Sequence, residues 1–265
     1  MVLPRRDLLT SATTGPVLSI QNLRVRFPTD EGPLPAVDGV SLDVHPNEVL
    51  AVVGESGSGK TVTMLAALGL LPSTAAVDGR VVFAGRDLLD LGEPELERLR
   101  GRRIAIVFQE ALAALNPVQR VGDQIAEAIT VHDHHLSRAH LHARVGELLD
   151  LVGIPDPAAR ARSYPHELSG GMRQRVVIAM ALANDPDVLI ADEPTTALDV
   201  TIQAQVLEVL RRVRERTRTA VVLVTHDLGV VAGLAHRVAV MYAGRIVETA
   251  DVRQVFSEPA HPYTR

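Results

Sequence analysis

The chain alternates between apolar and polar side chains in some stretches and is continuously apolar in others. Alternation over residues 17–27 and 36–44 predicts half-buried strands, and residues 77–83 favour another strand. Unbroken apolar runs, typical of strands inside a sheet, cover residues 49–53, 104–108, 188–191 and 221–224. Because the alternating strands lie so close in sequence to the run at 49–53, they predict an antiparallel layer added to the main sheet.

Helical patterns dominate the middle of the chain. Residues 110–165 read as mostly helical, with polar joints at Asn116-Pro117 and at 154–157. The other predicted elements are helices over 93–102, 173–183 and 206–217, a turn-rich loop over 28–35, and a closing hairpin of strands 237–242 and 245–248. The sequence therefore predicts an α/β fold in which a helical insert separates two strand-bearing halves, preceded by a loose tail over residues 1–15.

The most informative stretch follows the apolar run at 49–53. Residues 54–61 read G-E-S-G-S-G-K-T and fit the P-loop pattern G-x-x-x-x-G-K-S/T, between a predicted strand and a predicted helix. Glycines let the backbone approach an anion, and the loop N–H groups then point at phosphate oxygens; these glycines are Gly54, Gly57 and Gly59. Lys60 adds a point charge between the β- and γ-phosphates, and the Thr61 hydroxyl suits Mg²⁺. A chance Gly/Ser-rich turn would not need this order of strand, loop and helix, so the stretch predicts a nucleoside triphosphate site.

Composition indicates a folded protein and argues against several kinds of binding site. The 265 residues are 46% hydrophobic, which is enough for a buried core. A net charge of −5 argues against nucleic-acid binding that relies on bulk positive charge, and the absence of cysteine excludes disulfides and thiolate metal sites. Histidines are dense over residues 132–142; a metal site is conceivable there, but a solvated loop and helix start is the favoured interpretation.

Two adjacent carboxylates follow the apolar run at 188–191. In open α/β sheets, ligands bind at the carboxyl ends of the strands, which is where Asp192 and Glu193 are expected. Asp192 suits a Mg²⁺ contact through water, and Glu193 suits the orientation and deprotonation of an attacking water. Because phosphoryl transfer needs both a metal holder and a water positioner, this pair beside a P-loop predicts ATP hydrolysis.

A second candidate anion site opens the helix predicted over 173–183. Ser169 is a good N-cap, and Gly170 and Gly171 leave the backbone N–H groups beyond it bare. One nucleotide cannot easily be cradled by two such sites in one subunit. A dimer in which each site faces the other subunit's P-loop resolves this, whereas an ordinary capped helix is the simpler alternative.

Taken in chain order, these motifs resemble the nucleotide-binding subunit of ABC transporters, from about residue 17 to the end. The resemblance implies an ABC-type P-loop NTPase domain over residues 16–265. It implies a RecA-like core with the antiparallel β layer over 16–109 and 185–265, and a helical signature subdomain over 110–184.

The same resemblance assigns roles to individual residues. The whole P-loop then binds ATP, including Glu55, Ser56 and Ser58, and L-S-G-G-M at 168–172 is the signature, with Ser169, Gly170 and Gly171 on the ATP of the other subunit. Gln109 falls at the Q-loop as a Mg²⁺ ligand with Thr61 and Asp192, Asp199 in the D-loop bridges the two sites, and His226 is the switch histidine. Lys60, Glu193 and His226 are the implied catalytic residues. Phe27 falls where the adenine-stacking aromatic is expected, with plain core packing as the alternative.

A narrower resemblance is to the ATPase subunits of oligopeptide and dipeptide importers, a subfamily that also serves nickel uptake. The stretches that carry it are A-L-N-P-V at 114–118, Y-P-H-E-L-S-G-G-M-R-Q-R at 164–175, A-D-E-P-T-T-A-L-D-V-T-I-Q-A-Q at 191–205 and H-P-Y-T at 261–264. It implies a peripheral protein at the cytoplasmic face of the cell membrane, with ATP and Mg²⁺ as cofactors. The implied partners are an identical or homologous ATPase subunit, two transmembrane permease subunits and, indirectly, an extracytoplasmic solute-binding protein.

Several alternatives stay open at this point. An ABC exporter ATPase and a non-transport ABC ATPase of translation or DNA repair share the core motifs. A binding module without turnover would predict loss of Glu193 or His226, and a P-loop kinase gives no reason for L-S-G-G-M. Members of the peptide subfamily usually continue past H-P-Y-T into a cysteine-rich segment. Because this sequence ends at Arg265, a truncated chain and the first half of a longer one both remain open.

Overall fold

The computed structural model describes residues 15–109, 114–195 and 199–265, so the predicted tail lies outside the described residues apart from Gly15. The strands are β1 (Leu18–Thr29), β2 (Gly32–Val44), β3 (Val49–Val53), β4 (Ala76–Phe83), β5 (Arg86–Asp87), β6 (Ile104–Val107), β7 (Val188–Asp192), β8 (Ala220–Thr225), β9 (Arg237–Tyr242) and β10 (Arg245–Asp251). The helices are α1 (Lys60–Ala67), α2 (Glu93–Leu99), α3 (Val121–Thr130), α4 (Arg138–Leu151), α5 (Pro157–Arg160), α6 (Gly170–Ala181), α7 (Val200–Thr217), α8 (Leu228–Leu234) and α9 (Val252–Ser257). Among these described helices, none combines the length and the apolar character needed to cross a membrane.

The main sheet has the strand order β10-β9-β3-β8-β7-β6. All its pairs are parallel except β9 with β10, which form the predicted closing hairpin. Every residue of β3, β7 and β8 is buried, because helices or a second sheet cover both faces. Three of the four unbroken apolar runs therefore form inner strands of the main sheet, and the run at 104–108 forms its edge strand β6.

A second, antiparallel sheet with the order β2-β1-β4-β5 confirms the added β layer. It packs on one face of the main sheet together with α1. Leu50 and Val52 of β3, Val25 of β1, Phe83 of β4 and Met64 of α1 share one hydrophobic core there. The alternation in β1 and β2 arises because only one face of each strand meets this core.

The helices from the middle of the chain cover the opposite face of the main sheet. Side chains of α3, α4 and α6, such as Ile125, Leu148 and Ile178, join one apolar cluster with Leu189 of β7 and Leu223 of β8. The predicted α/β fold is confirmed, and α3, α4 and α5 lie within the stretch that the sequence predicts to be mostly helical.

The structure corrects two element boundaries. The segment 28–35 is not a loop: β1 and β2 continue as a hairpin in which Pro28 pairs with Pro33 and Thr29 with Gly32. Proline is tolerated in β2 because β2 is an edge strand, and Pro28 is tolerated in β1 because the pairing of β1 with β4 ends at Arg26. Helix α7 begins six residues before the predicted start because Asp199 caps it, its side chain accepting the Ile202 N–H at 2.9 Å.

The histidine-dense stretch forms a turn and the start of α4, where Ser137 is the N-cap. A search of the part of the chain that the structure describes finds no group of three or more His, Asp or Glu side chains that could hold a metal ion.

Candidate functional site

The P-loop connects the central strand β3 to α1, at the carboxyl edge of the main sheet. Two of its glycines are required by close approach of other backbone. A Cβ on Gly54 would lie 2.1 Å from the carbonyl oxygen of Met241 in β9. Gly59 has φ +102°, and a Cβ there would lie 2.5 Å from the carbonyl oxygen of Ala36. The loop is therefore packed between β9 and β2 in a shape that side chains would disrupt.

Lys60 is the first residue of α1, and its side chain is buried against the loop that precedes it. Its ammonium donates to the carbonyl oxygens of Gly54 and Glu55, both at 2.8 Å. Burial lowers the pKa of Lys60, while the nearby Glu193 and Asp192 act in the opposite direction. The loop thus holds a cation at the centre of a cradle of backbone groups.

Thr61 and Asp192 join the P-loop to the end of β7. The Thr61 hydroxyl donates to Oδ1 of Asp192 at 3.1 Å. Asp192 is only 3% exposed, and burial raises the pKa of its carboxyl. The hydroxyl and the carboxylate are oxygen ligands of the kind that Mg²⁺ prefers, and their position next to Lys60 fits a metal held beside a phosphate.

Glu193 lies between Gln109 and His226. Its Oε2 accepts from the Gln109 side-chain amide at 2.9 Å, and its Oε1 lies 3.1 Å from Nδ1 of His226. Glu193 adopts φ +46°, a left-handed conformation that costs a non-glycine residue about 1–3 kcal/mol. Its N–H donates to the Val224 carbonyl of β8, which holds the residue in that conformation.

These groups surround one cavity of about 740 Å³. The predicted site residues that line it are Gly54, Glu55, Ser56, Gly57, Gly59, Lys60, Thr61, Gln109, Glu193 and His226. Ser58 is buried, with its hydroxyl 3.4 Å from the Lys60 ammonium, and Asp192 reaches the cavity edge through Thr61. The arrangement offers a cation, the backbone of a glycine-rich loop and a carboxylate in one open space.

Other predicted site residues do not line this cavity in the described chain. Phe27 packs at the edge of the core between the two sheets and pairs with Leu34 in the β1–β2 hairpin. Ser169 caps α6, its hydroxyl accepting the Met172 N–H at 3.3 Å, as predicted. Gly170 and Gly171 form the first turn of α6, and Asp199 caps α7.

Sequence reasoning missed two polar residues that line the cavity, Tyr263 and Thr264. The Tyr263 hydroxyl accepts the backbone N–H of Glu55 in the P-loop at 2.9 Å. Both belong to H-P-Y-T, a stretch that the sequence linked only to a subfamily. No local pattern connects it to a loop that lies 208 residues earlier.

Comparison with known proteins agrees with this geometry. The chain matches the family described as "ABC transporter" over residues 37–196. It is 55% identical over 249 residues to the oligopeptide transport ATP-binding protein OppD of Mycobacterium tuberculosis, covering 94% of this chain and 41% of that protein. It is 52% identical over 251 residues to the dipeptide transport ATP-binding protein DppD of Bacillus subtilis, covering 94% of this chain and 75% of that protein. The chain thus spans about two fifths of the length of the mycobacterial relative.

Solved structures agree with the fold. The dimeric structure of MJ0796, a bacterial ABC transporter cassette, superposes with a TM-score of 0.78 at 28% identity, over 89% of this chain and 99% of that one. A dimeric, post-hydrolysis structure of the same cassette bound to ADP and Pi also gives a TM-score of 0.78, at 27% identity and the same coverage. The matched family, these relatives and the geometry of the P-loop pocket all agree. The chain belongs to the ABC transporter family.

Proposed function

We propose that this chain is the ATP-hydrolysing subunit of an ABC importer for dipeptides, oligopeptides or related solutes. The observation that carries the hydrolytic part is the position of Glu193, held by Gln109 and His226 in the cavity that Lys60 enters. The names of the OppD and DppD relatives support the peptide part.

Each group of cavity residues has a separate role in phosphoryl transfer. Lys60 and the P-loop N–H groups, from residues 54–61, hold the phosphates. Glu193 accepts the proton of the attacking water, in line with the γ-phosphate. His226, at 3.1 Å from the Glu193 carboxylate, contacts the γ-phosphate and keeps that carboxylate oriented. Thr61, Gln109 and Asp192 supply oxygen atoms for Mg²⁺, which would neutralise charge on the phosphates when bound.

The pocket is completed by a second subunit, identical or homologous. Ser169, Gly170 and Gly171 offer N–H groups at the start of α6 but do not line the cavity of their own chain. We place them on the ATP held by the neighbour's P-loop, with Asp199 near the junction of the two sites and Phe27 against the adenine. The dimeric state of the MJ0796 cassette supports the pairing of two such chains.

Closure of the dimer on ATP and reopening after hydrolysis are a population shift driven by the ligand. Gln109 connects that shift to the helical insert, residues 110–184, which we place against two transmembrane permease subunits. The chain then acts at the cytoplasmic face of the cell membrane, and an extracytoplasmic binding protein delivers the solute. Isolation of the chain from membranes, followed by identification of the copurifying permeases, tests this part.

Replacement of Glu193 by glutamine tests the hydrolytic role. Glu193→Gln keeps the size of the side chain but removes the base, so turnover should fall about 10²- to 10⁴-fold while ATP binding is retained. Glu97→Gln, an exposed position on α2, is the matched control and should hydrolyse ATP at the normal rate. A Glu193→Gln protein with more than half of the wild-type rate contradicts the role of Glu193.

Complementation tests whether two chains share a pocket. Lys60→Ala disables a P-loop and Ser169→Arg disables a signature, so each variant alone should be inactive. If the chain pairs with itself, about half of the dimers formed by random mixing contain one copy of each variant. Each of these heterodimers has one intact pocket of its two, so about a quarter of all pockets in the mixture are intact. Recovery of hydrolysis in the mixture is expected. A Ser169→Arg protein that dimerises and hydrolyses ATP normally would overturn the trans-acting role of the signature.

A further inference from the structure

The last residues of the chain fold back against the P-loop. The Tyr263 hydroxyl accepts the Glu55 N–H at 2.9 Å, and Tyr263 and Thr264 line the same cavity as Lys60 and Glu193. The contact takes up an N–H of the P-loop itself, and the function proposed above assigns no role to Tyr263 or Thr264.

The position of the Tyr263 hydroxyl is fixed from outside the P-loop. The N–H groups of Ala260 and His261 donate to the two carboxylate oxygens of Glu248 in β10, at 2.9 and 3.0 Å. The Tyr263 N–H donates to Nδ1 of His261 at 3.2 Å. These bonds tie the segment to the closing hairpin before Tyr263 reaches the loop.

Packing holds the ring as well. The Tyr263 ring lies against the ring of Tyr242, with 4.6 Å between centroids and 43° between planes. Tyr263 also contacts the apolar cluster that contains Val53 of β3 and Val240 of β9. The hydroxyl is therefore presented to the P-loop by a supported side chain.

The peptide group that Tyr263 contacts is one of two whose carbonyl oxygens accept from the Lys60 ammonium. The Glu55 N–H and the Gly54 carbonyl belong to one planar peptide, with its N–H and C=O on opposite sides. Its N–H donates to Tyr263, and its carbonyl oxygen accepts from the Lys60 ammonium at 2.8 Å. Rotation of this peptide plane would move its N–H and its carbonyl oxygen together. The Tyr263 hydroxyl fixes the direction of the N–H and thereby also the direction of the Gly54 carbonyl oxygen, which accepts from Lys60.

We propose that Tyr263 is a positioning residue of the ATP site, which sets the plane of the Gly54–Glu55 peptide and through it the place of the Lys60 ammonium. This inference rests on the proposed ATP-binding function. Because Tyr263 does not contact the reacting atoms, its effect falls on binding of the substrate and of the transition state alike. A loss of binding energy that is equal for the substrate and the transition state raises KM and leaves kcat unchanged.

Tyr263→Phe tests this by removal of the hydroxyl alone, with Tyr242→Phe as the matched control on the neighbouring ring. The hydrogen bond is worth about one kcal/mol net, so Tyr263→Phe should raise the Kd for MgATP and the KM about 3- to 10-fold, with kcat within about twofold. Amide hydrogen exchange at Glu55 should quicken several-fold in the nucleotide-free protein, because its N–H loses its protein acceptor. Tyr242→Phe should match wild type in all four measurements.

The outcomes separate this inference from the proposed function. Wild-type protein that does not bind MgATP contradicts the proposed function itself. If the wild-type protein binds MgATP but Tyr263→Phe changes neither the Kd nor the exchange of the Glu55 amide, only the role of Tyr263 is overturned. A lower thermal midpoint with no change in Kd would assign Tyr263 a merely structural role and also overturns the inference.

Discussion

Gly171 and Gly170 are adjacent glycines of the signature that differ in what surrounds them. A Cβ on Gly171 would lie 2.5 Å from Cγ2 and 3.0 Å from Cδ1 of Ile202, in the first turn of α7. A Cβ on Gly170 would meet nothing within 4 Å. The two positions therefore form a matched pair in which only one substitution forces a neighbour to move.

The magnitude follows from this geometry. Cγ2 of Ile202 sits on a β-branched carbon whose χ1 is restricted in a helix, so it cannot swing away cheaply. Gly171→Ala must push α6 and α7 apart, and overpacking of this kind costs about 1–3 kcal/mol. Both substitutions gain up to about 1 kcal/mol of helix propensity, which cancels when the variants are compared. The free energy of unfolding of Gly171→Ala should therefore be about 1–3 kcal/mol lower than that of Gly170→Ala.

Urea unfolding of the nucleotide-free protein measures this difference, as the shift in midpoint at a common m value. In the same variants, ATP-dependent dimerisation reports on the trans site. Gly170→Ala should be at least as stable as wild type but should weaken dimerisation, because its methyl group obstructs the approach of the neighbour's ATP to the backbone N–H at that position. Equal stability of the two variants would show that contact with Ile202 is not what requires glycine at 171.

Three further predictions concern the pocket and its surroundings. Lys60→Ala removes charged hydrogen bonds worth about 1.5–3 kcal/mol and should weaken ATP binding about 10- to 100-fold by titration calorimetry. Burial raises the pKa of the Asp192 carboxyl, so its charge destabilises the nucleotide-free protein near neutral pH, a cost that disappears as pH falls through that raised pKa. Asp192→Asn should thus melt above wild type at pH 7, and the advantage should be lost toward about pH 4. The Gln203 amide donates to Asp227 at 2.9 Å and, more than any other group, holds the pKa of Asp227 below its usual value. Gln203→Leu should raise that pKa in a carboxyl NMR titration, and wild type's stability advantage over it should shrink as pH falls through the folded pKa of Asp227.

The P-loop could be predicted from sequence because its signal is contiguous: eight residues stand between a visible strand pattern and a visible helix pattern. The close contacts that demand glycine at Gly54 and Gly59 come from Met241 and Ala36, which are distant in sequence, and only the structure shows them. Helix α6 could be predicted for the same reason, since Ser169 is a cap signal beside the turn that it caps.

The meeting of Gln109, Glu193 and His226 depends on strand order. Each follows one of three neighbouring parallel strands, β6, β7 and β8, so their side chains meet at one sheet edge. The sequence placed each residue after a strand, but the order of strands is decided by packing of distant segments. The resemblance implied that the three residues share one ATP site, whereas the residue pattern gave no strand order.

Two features escaped prediction for opposite reasons. The prolines of 28–35 indicate a loop, yet an edge hairpin accommodates them because the missing N–H groups do not break a central ladder. Tyr263 carries no local signal, because its role depends on a contact with Glu55 across the fold. Long-range contacts of single side chains are set by tertiary structure.

In the proposed function, one chain supplies only half of each ATP pocket. The structure of the Glu193→Gln protein with MgATP, together with its identical or homologous partner, would reveal whether the pocket is shared. We expect ATP between the P-loop of one subunit and Ser169 and Gly170 of the other, with the nucleotide shielded from solvent by both. A nucleotide fully enclosed within a single subunit, with Ser169 remote from every phosphate, would contradict a shared pocket.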